Sequence, residues 1–166
     1  QLALAGAHLV AGDDQVVTLQ YEQFPEVELW SPENLRRYGV YAELFEGMTP
    51  IDDNGAFPYG FREAVFKDDG FYLNGEHLKL IGLNRHQLYP YIGGAAPARL
   101  QRKDADILKD ELGINIVRTS HYPQSPHFLE RCDEIGLLVF EEIPGWQHIG
   151  DSDWKALSLR DVQAMI

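Results

Sequence analysis

The stretch Ile114–Phe140 constrains this chain most, because it reads as strand, polar turn, helix and strand in 27 residues. Ile114, Ile116 and Val117 are β-formers. Arg118, Thr119, Ser120, His121 and Tyr122 then crowd polar side chains at the strand's end, and Pro123 and Pro126 break the backbone. A helix is expected over 125–135, most clearly from Phe128 to Ile135, and Gly136 stops it. Leu137 to Phe140 is an apolar run suited to a strand buried on both faces. Strand, helix and strand at this spacing make a βαβ unit, and therefore a parallel sheet.

Neighbouring segments extend the unit. Leu78–Leu83 is an apolar run followed by Asn84, Arg85 and His86. A helix is expected over 99–112, with Leu100, Ala105, Ile107, Leu108 and Leu112 apolar and Gly113 as its C-terminal cap. A further helix begins at Asp151, capped by Asp151 or Ser152, with Trp154, Leu157, Leu159 and Val162 apolar. The resulting order, β-α-β-α-β-α, equals three of the eight units of a (β/α)₈ barrel.

Residues 1–66 read differently. Val16–Tyr21, Val27–Trp30, Tyr38–Phe45 and Phe57–Phe66 are candidate strands divided by Gly, Asp, Asn and Pro turns. Their spacing points to an antiparallel sandwich, with fewer strands than the roughly seven a sandwich holds. Trp30 reads as a core aromatic. Residues 67–77 form the joint: Lys67–Gly70 is a polar turn, Phe71–Leu73 a short strand, and Asn74-Gly75 a strong hairpin signal, with a return strand from Glu76. The expected division is thus 1–66, 67–77 and 78–166.

Composition excludes several functions. With 26 acids against 14 bases and a net charge of −12, the chain offers no basic footprint for nucleic acid. No apolar run approaches the roughly 20 residues that cross a bilayer. The single Cys132 forms no internal disulfide, reads as a small buried hydrophobe, and leaves cytoplasmic and exported locations both open. The chain opens on Gln1 without a basic, apolar leader, which reads as a processed chain or a piece of something longer.

In parallel β/α sheets, ligands bind at the carboxyl ends of the strands. Three strands bring polar residues there: Asn84, Arg85 and His86; then Arg118, Ser120 and His121; then Glu141 and Glu142, with Trp146 and His148 just beyond. Singly, each has a plain explanation, such as Arg118 pairing with a buried acid or His121 capping a turn. Together they suit a sugar: imidazole and carboxylate serve hydroxyls, an aromatic ring such as Trp146 stacks on a pyranose, and Arg118 can grip a carboxylate. Glu141 and Glu142 do not make a retaining glycosidase pair, since adjacent strand residues point to opposite faces. A zinc reading of His86, His121 and His148 lacks any short His spacing.

Asn115-Ile116-Val117-Arg118-Thr119-Ser120-His121-Tyr122-Pro123, with Phe128-Leu129, Asp133, Gly136 and Leu137–Phe140, resembles the first signature of glycoside hydrolase family 2. Leu29-Trp30-Ser31-Pro32-Glu33, Tyr59-Gly60-Phe61-Arg62 and Phe71–Gly75 resemble that family's immunoglobulin-like domain and its passage into the barrel. The resemblance implies the end of an immunoglobulin-like β-sandwich followed by the first three units of a TIM barrel. It implies a retaining exo-β-glycosidase, most nearly a β-galactosidase, with β-glucuronidase and β-mannosidase as alternatives. Outside that class, a non-catalytic carbohydrate-binding or structural module is the competing reading.

By the same resemblance, Arg118 orients the nucleophilic glutamate, His86 and His121 contact sugar hydroxyls and support the transition state, and Glu142 and Trp146 take structural or substrate-side roles. The acid/base and nucleophile glutamates follow the family's fourth and seventh strands, so no catalytic carboxylate is expected within these residues. The isolated chain is accordingly expected to be inactive. Ile143-Pro144-Gly145-Trp146 departs from the segment that carries magnesium ligands in some β-galactosidases, so no cofactor is expected. The expected partners are a β-linked sugar, and either a second copy of the chain or the remainder of the enzyme to cover open strand edges.

Overall fold

The structure is a computed structural model that describes Gly12, Thr18 and residues 26–165. The expected strand at Val16–Tyr21 lies outside the described residues.

Two short antiparallel ribbons come first. β1 (Tyr38–Val40) pairs with β4 (Phe57–Tyr59), and between them β2 (Glu43–Glu46) pairs with β3 (Thr49–Asp53). Among the described residues the two ribbons are separate two-stranded sheets. The single strand expected at 38–45 is split, because Ala42 N–H donates to the Asn54 side chain at 2.8 Å and Asn54 N–H returns to Ala42 O at 3.2 Å. Among the described residues no second layer packs on the ribbons, and Val40, Leu44, Phe45, Ile51 and Phe57 remain exposed. Segment 27–30 is not a strand either. Trp30 N–H donates to Phe61 O, and a Cβ at Gly60 would sit 2.8 Å from that of Trp30, so this crossing divides the expected strand 57–66 into β4 and β5 (Ala64–Lys67).

Trp30 is a core residue, 2% exposed. Its indole N–H donates to Asp133 O at 2.9 Å, and the Arg62 guanidinium lies 5.1 Å from its ring. The segment following Trp30 packs on the same helix end. There Gly136 adopts φ 73°, and any Cβ would fall 2.7 Å from Pro32 Cα.

β5 continues into β6 (Gly70–Leu73) and β7 (Glu76–His77), an antiparallel meander. The second turn is Asn74-Gly75, with φ 54° and 84°, the left-handed pair that a tight hairpin needs. The Asn74 side chain also accepts from Glu63 N–H and donates to Trp30 O, both at 3.0 Å. The return strand ends sooner than expected. Asn115 explains why: its side chain accepts from Ile81 N–H at 2.7 Å and donates to Lys79 O at 2.8 Å. These backbone groups are thereby satisfied outside a ladder, and the strand expected at 78–83 begins only at Gly82.

From there the chain is β/α. β8 (Gly82–Arg85), β9 (Ile116–Thr119) and β10 (Leu138–Phe140) form a parallel sheet in the order β10-β9-β8. α1 (Ala98–Asp106) runs into a π-helical turn at Ile107–Glu111, then Gly113 at φ 64° turns the chain. α2 (Pro126–Ile135) has proline in its first turn and ends at Gly136. Ala105, Leu108, Ile114, Val117, Phe128, Cys132 and Leu137 form one buried cluster beneath the sheet. Arg102 and Arg131 bind Glu134, and Arg131 also binds Asp106 at 2.7 Å, clamping α1 to α2. α3 (Ser152–Met165) is capped by Asp151, whose carboxylate accepts from Trp154 N–H at 3.0 Å; it buries no residue. The three units make an open sheet rather than a closed barrel.

Candidate functional site

Strand alternation decides which side chains reach the rim. In the parallel register Asn84 stands beside Arg118, and Phe140 on its other side. The neighbours on the opposite side of the pleat, Arg85, Val117 and Thr119, are buried. The open face of the sheet holds a cavity of ≈ 230 Å³ lined by Gly82, Leu83, Asn84, Ile116, Arg118 and Phe140. Two more residues along each strand lie His86, Ser120 and Glu142.

Glu142 is the centre of that rim. Arg118 Nε donates to Glu142 Oε1, and His121 Nδ1 lies 3.1 Å from Oε2. Arg118 Nη2 is 3.3 Å from the same imidazole nitrogen, and Nη1 reaches the Asn84 amide oxygen at 3.5 Å. Glu142 is held from behind as well, its N–H donating to the buried Thr119 hydroxyl at 2.9 Å. The Glu142 side chain is 16% exposed and that of Arg118 40%, so a half-sheltered carboxylate is gripped by a guanidinium that still faces solvent. The His121 ring stands 5.3 Å from His86 and 5.4 Å from Trp146, and His86 is 6.1 Å from Tyr122. Trp146 is 68% exposed, offering its ring beside the imidazole.

Of the residues expected at the rim, His86, Arg118, His121, Glu142 and Trp146 therefore lie together. Glu141 points away, accepting from Gln124 N–H at 3.0 Å, as alternation along the strand requires. His148 meets Trp154 edge to face instead, at 5.5 Å between ring centroids. Among the described residues no group of three or more His, Cys, Asp or Glu is placed to hold a metal ion, and no helix is long and apolar enough to cross a membrane.

Arg85 corrects an expectation. As a rim cation it would be a candidate for binding a sugar carboxylate, but it is 5% exposed and fully engaged. It binds Asp104 through Nε at 3.0 Å and Nη2 at 2.8 Å, Gln101 at 2.7 Å, Tyr89 at 3.1 Å and Gln124 through Nη1. Its guanidinium lies 3.9 Å from the Phe128 ring centroid. Burial, and then its hydrogen bond to Asp104, push the Tyr89 hydroxyl up to about 12, so it stays protonated and donates to that carboxylate at 2.7 Å. Gln124, Gln101, Asp104, Tyr89 and Thr119 carry no local sequence signal for this; the clue is a strand arginine on the helix-facing side, which must find partners. Cys132 is buried among apolar side chains, which raises its thiol to about 12 and suits it to packing.

Parallel β/α units with a polar, aromatic-flanked rim at their carboxyl ends define a barrel-type enzyme domain. Residues 64–158 match the family model "Glycosyl hydrolases family 2, TIM barrel domain", and the chain belongs to that family. It is 56% identical over 151 residues to a β-galactosidase of Thermoanaerobacterium thermosulfurigenes, covering 91% of this chain and 21% of that protein. It is 61% identical over 138 residues to a β-galactosidase of Thermoanaerobacter pseudethanolicus, covering 82% of this chain and 18% of that one. The solved apo structure of Bacteroides uniformis β-glucuronidase 3 superposes with a TM-score of 0.71 at 38% identity, covering 84% of this chain and 18% of that chain. The chain thus spans about a fifth of the length of these relatives.

Proposed function

We propose that these residues are the substrate-side wall of a retaining exo-β-glycosidase that acts on terminal β-galactosides. The single observation that carries this is the Arg118–Glu142–His121 constellation at the carboxyl ends of three parallel strands, flanked by His86 and Trp146. Arg118 holds charge and direction at the rim, and His86 and His121 supply donors and acceptors for hydroxyls that change their demand as the anomeric centre becomes cationic. Trp146 supplies an apolar plane for a pyranose face. The galactoside preference rests on the relatives at 56% and 61% identity, both named β-galactosidases.

The same chain alone does not hydrolyse glycosides. Glu141 and Glu142 are turned apart and each is already bound, so they supply no acid/base and nucleophile pair. In the whole protein, residues 1–66 end an immunoglobulin-like sandwich, 67–77 link it, and 78–166 open the barrel. The exposed apolar faces of the two ribbons and of the β8–β10 sheet support this, since further strands would cover them.

A glucuronide is the second reading, favoured by the likeness to Bacteroides uniformis β-glucuronidase 3. It needs a cation for the sugar carboxylate, and Arg85 is committed elsewhere. The test is a graft: this chain replaces the matching segment of the T. thermosulfurigenes β-galactosidase, and aryl β-galactoside, β-glucuronide and β-mannoside are compared. Turnover of the galactoside above the other two is expected. A graft that folds, yet prefers the glucuronide or turns over none, overturns the reading.

A further inference from the structure

Arg85 is the most heavily engaged side chain in the described structure, and nothing in the sugar chemistry uses it. Its partners come from four places. Tyr89 lies on the loop after β8, Gln101 and Asp104 lie on α1, Phe128 on α2, and Gln124 on the loop between β9 and α2. That last loop carries Ser120, His121 and Tyr122. Arg85 binds it twice: the Arg85 carbonyl accepts from Ser120 N–H at 2.9 Å, and the guanidinium donates to the Gln124 amide oxygen. Gln124 in turn donates from Nε2 to Tyr122 O at 3.2 Å, and its N–H donates to Glu141 at 3.0 Å. The loop is therefore pinned at both ends, on either side of His121.

His86 follows Arg85 directly, and its ring meets that of His121 at 5.3 Å. We infer that Arg85, acting through Gln124, is the positioning residue that fixes the two rim imidazoles relative to each other and to Glu142. A guanidinium suits the task because it is planar and always charged, and its fork serves several acceptors at once; an ammonium in its place would satisfy Asp104 and leave Gln124 or Gln101 unpaired. The Asp104 carboxylate balances the buried charge at 2.8 Å, so the peg is electrostatically closed. This inference rests on the proposed glycosidase reading only for its consequence in turnover; the geometric claim stands apart from it.

The closing experiment has two arms. In the graft, Gln124→Ala cuts the tether and leaves the Arg85–Asp104 pair intact. A kcat loss of about 10–100-fold with KM held within about threefold is expected, since misplacement of a reacting group acts mainly on the transition state. Gln124→Glu, which restores an acceptor to Arg85 but not the Nε2 donor to Tyr122 O, is expected to recover only part of the loss. Arg102→Ala, which cuts a remote α1–α2 ion pair, serves as the control for mere destabilisation and is expected to leave kcat within about twofold. Equal kcat in the Gln124→Ala graft and the unaltered graft, or an equal loss in the control, overturns the inference. The second arm needs no activity: imidazole ¹⁵N resonances of His86 and His121 are compared in the unaltered full chain and in Gln124→Ala. Shifts of both are expected, and unmoved resonances overturn the inference. If the unaltered graft is inactive, the glycosidase reading fails and these resonances alone decide the positioning claim.

Discussion

Phe128→Ala removes the residue on which the β/α half is built. Phe128 is 0% exposed, shares one cluster with Ala105, Leu108, Ile114, Val117, Cys132 and Leu137, and lies 3.9 Å under the Arg85 guanidinium. Truncating a buried phenylalanine costs about 3–5 kcal/mol, the lost transfer energy plus the cavity left behind. Loss of a desolvated cation–π contact adds up to about 2 kcal/mol. The sum, about 3–7 kcal/mol, is a large share of the roughly 5–15 kcal/mol that holds a domain folded. The assay is urea unfolding of the full chain followed by far-UV circular dichroism. The expected outcome is loss of the helical signal at urea concentrations where the unaltered chain is folded. Phe128→Leu, which refills most of the volume but removes the ring, is expected to cost about 1–3 kcal/mol, isolating the stacking on Arg85. A Phe128→Ala cost below about 1.5 kcal/mol, or Leu as damaging as Ala, would refute the assignment of Phe128 as the floor of both core and peg.

Three further outcomes follow from the same contacts. Burial raises the Asp133 carboxyl above its ordinary 3.8, against the opposing pull of Arg62 and Arg37. The folded state then binds its proton more tightly, so this group's contribution to stability is fully present below pH about 3.8 and is lost as pH rises through the raised value; Asp133→Asn is expected to remove this component of the slope in pH-dependent melts. The hydrogen bonds from Arg102, then Arg131, hold the Glu134 carboxyl below its ordinary 4.5. Its contribution is present above that value and lost on acidification, and Glu134→Gln is expected to cost about 0.5–1 kcal/mol at pH 7 and nothing in strong acid. The Cys132 thiol, buried and raised to about 12, is expected to resist a thiol reagent at pH 8 and to label at the rate of unfolding; immediate labelling of the folded chain contradicts the packing.

Much of the β/α half is legible in the sequence because its signals are local. Gly136 announces the end of α2, Asn74-Gly75 the hairpin, and the apolar runs at 114–117 and 137–140 the strands. The alternation that separates Glu141 from Glu142 is equally local, and it holds. What sequence misses is long-range side-chain chemistry. Nothing near Ile81 says that Asn115 will take its N–H and delay β8. Nothing between Phe57 and Phe66 says that Trp30 will cross at Gly60 and split the strand. Arg85 sits among rim residues in sequence but on the buried side of the pleat, and its five acceptor contacts come from residues up to 39 positions away. Arg118 stands between Asn84 and Phe140 in the parallel register, so the polar residues that follow these strands in sequence are expected at one rim.

The most direct measurement of the central claim is kcat/KM for an aryl β-galactoside in the graft, with Arg118 intact and with Arg118→Lys. Lysine keeps the charge beside Glu142 but not the fork that also reaches His121 and Asn84. If the rim is the sugar-facing wall of a β-glycosidase, kcat/KM falls by about 100-fold or more. If Arg118→Lys leaves it within about threefold, the constellation is structural, and the functional account built on it is wrong.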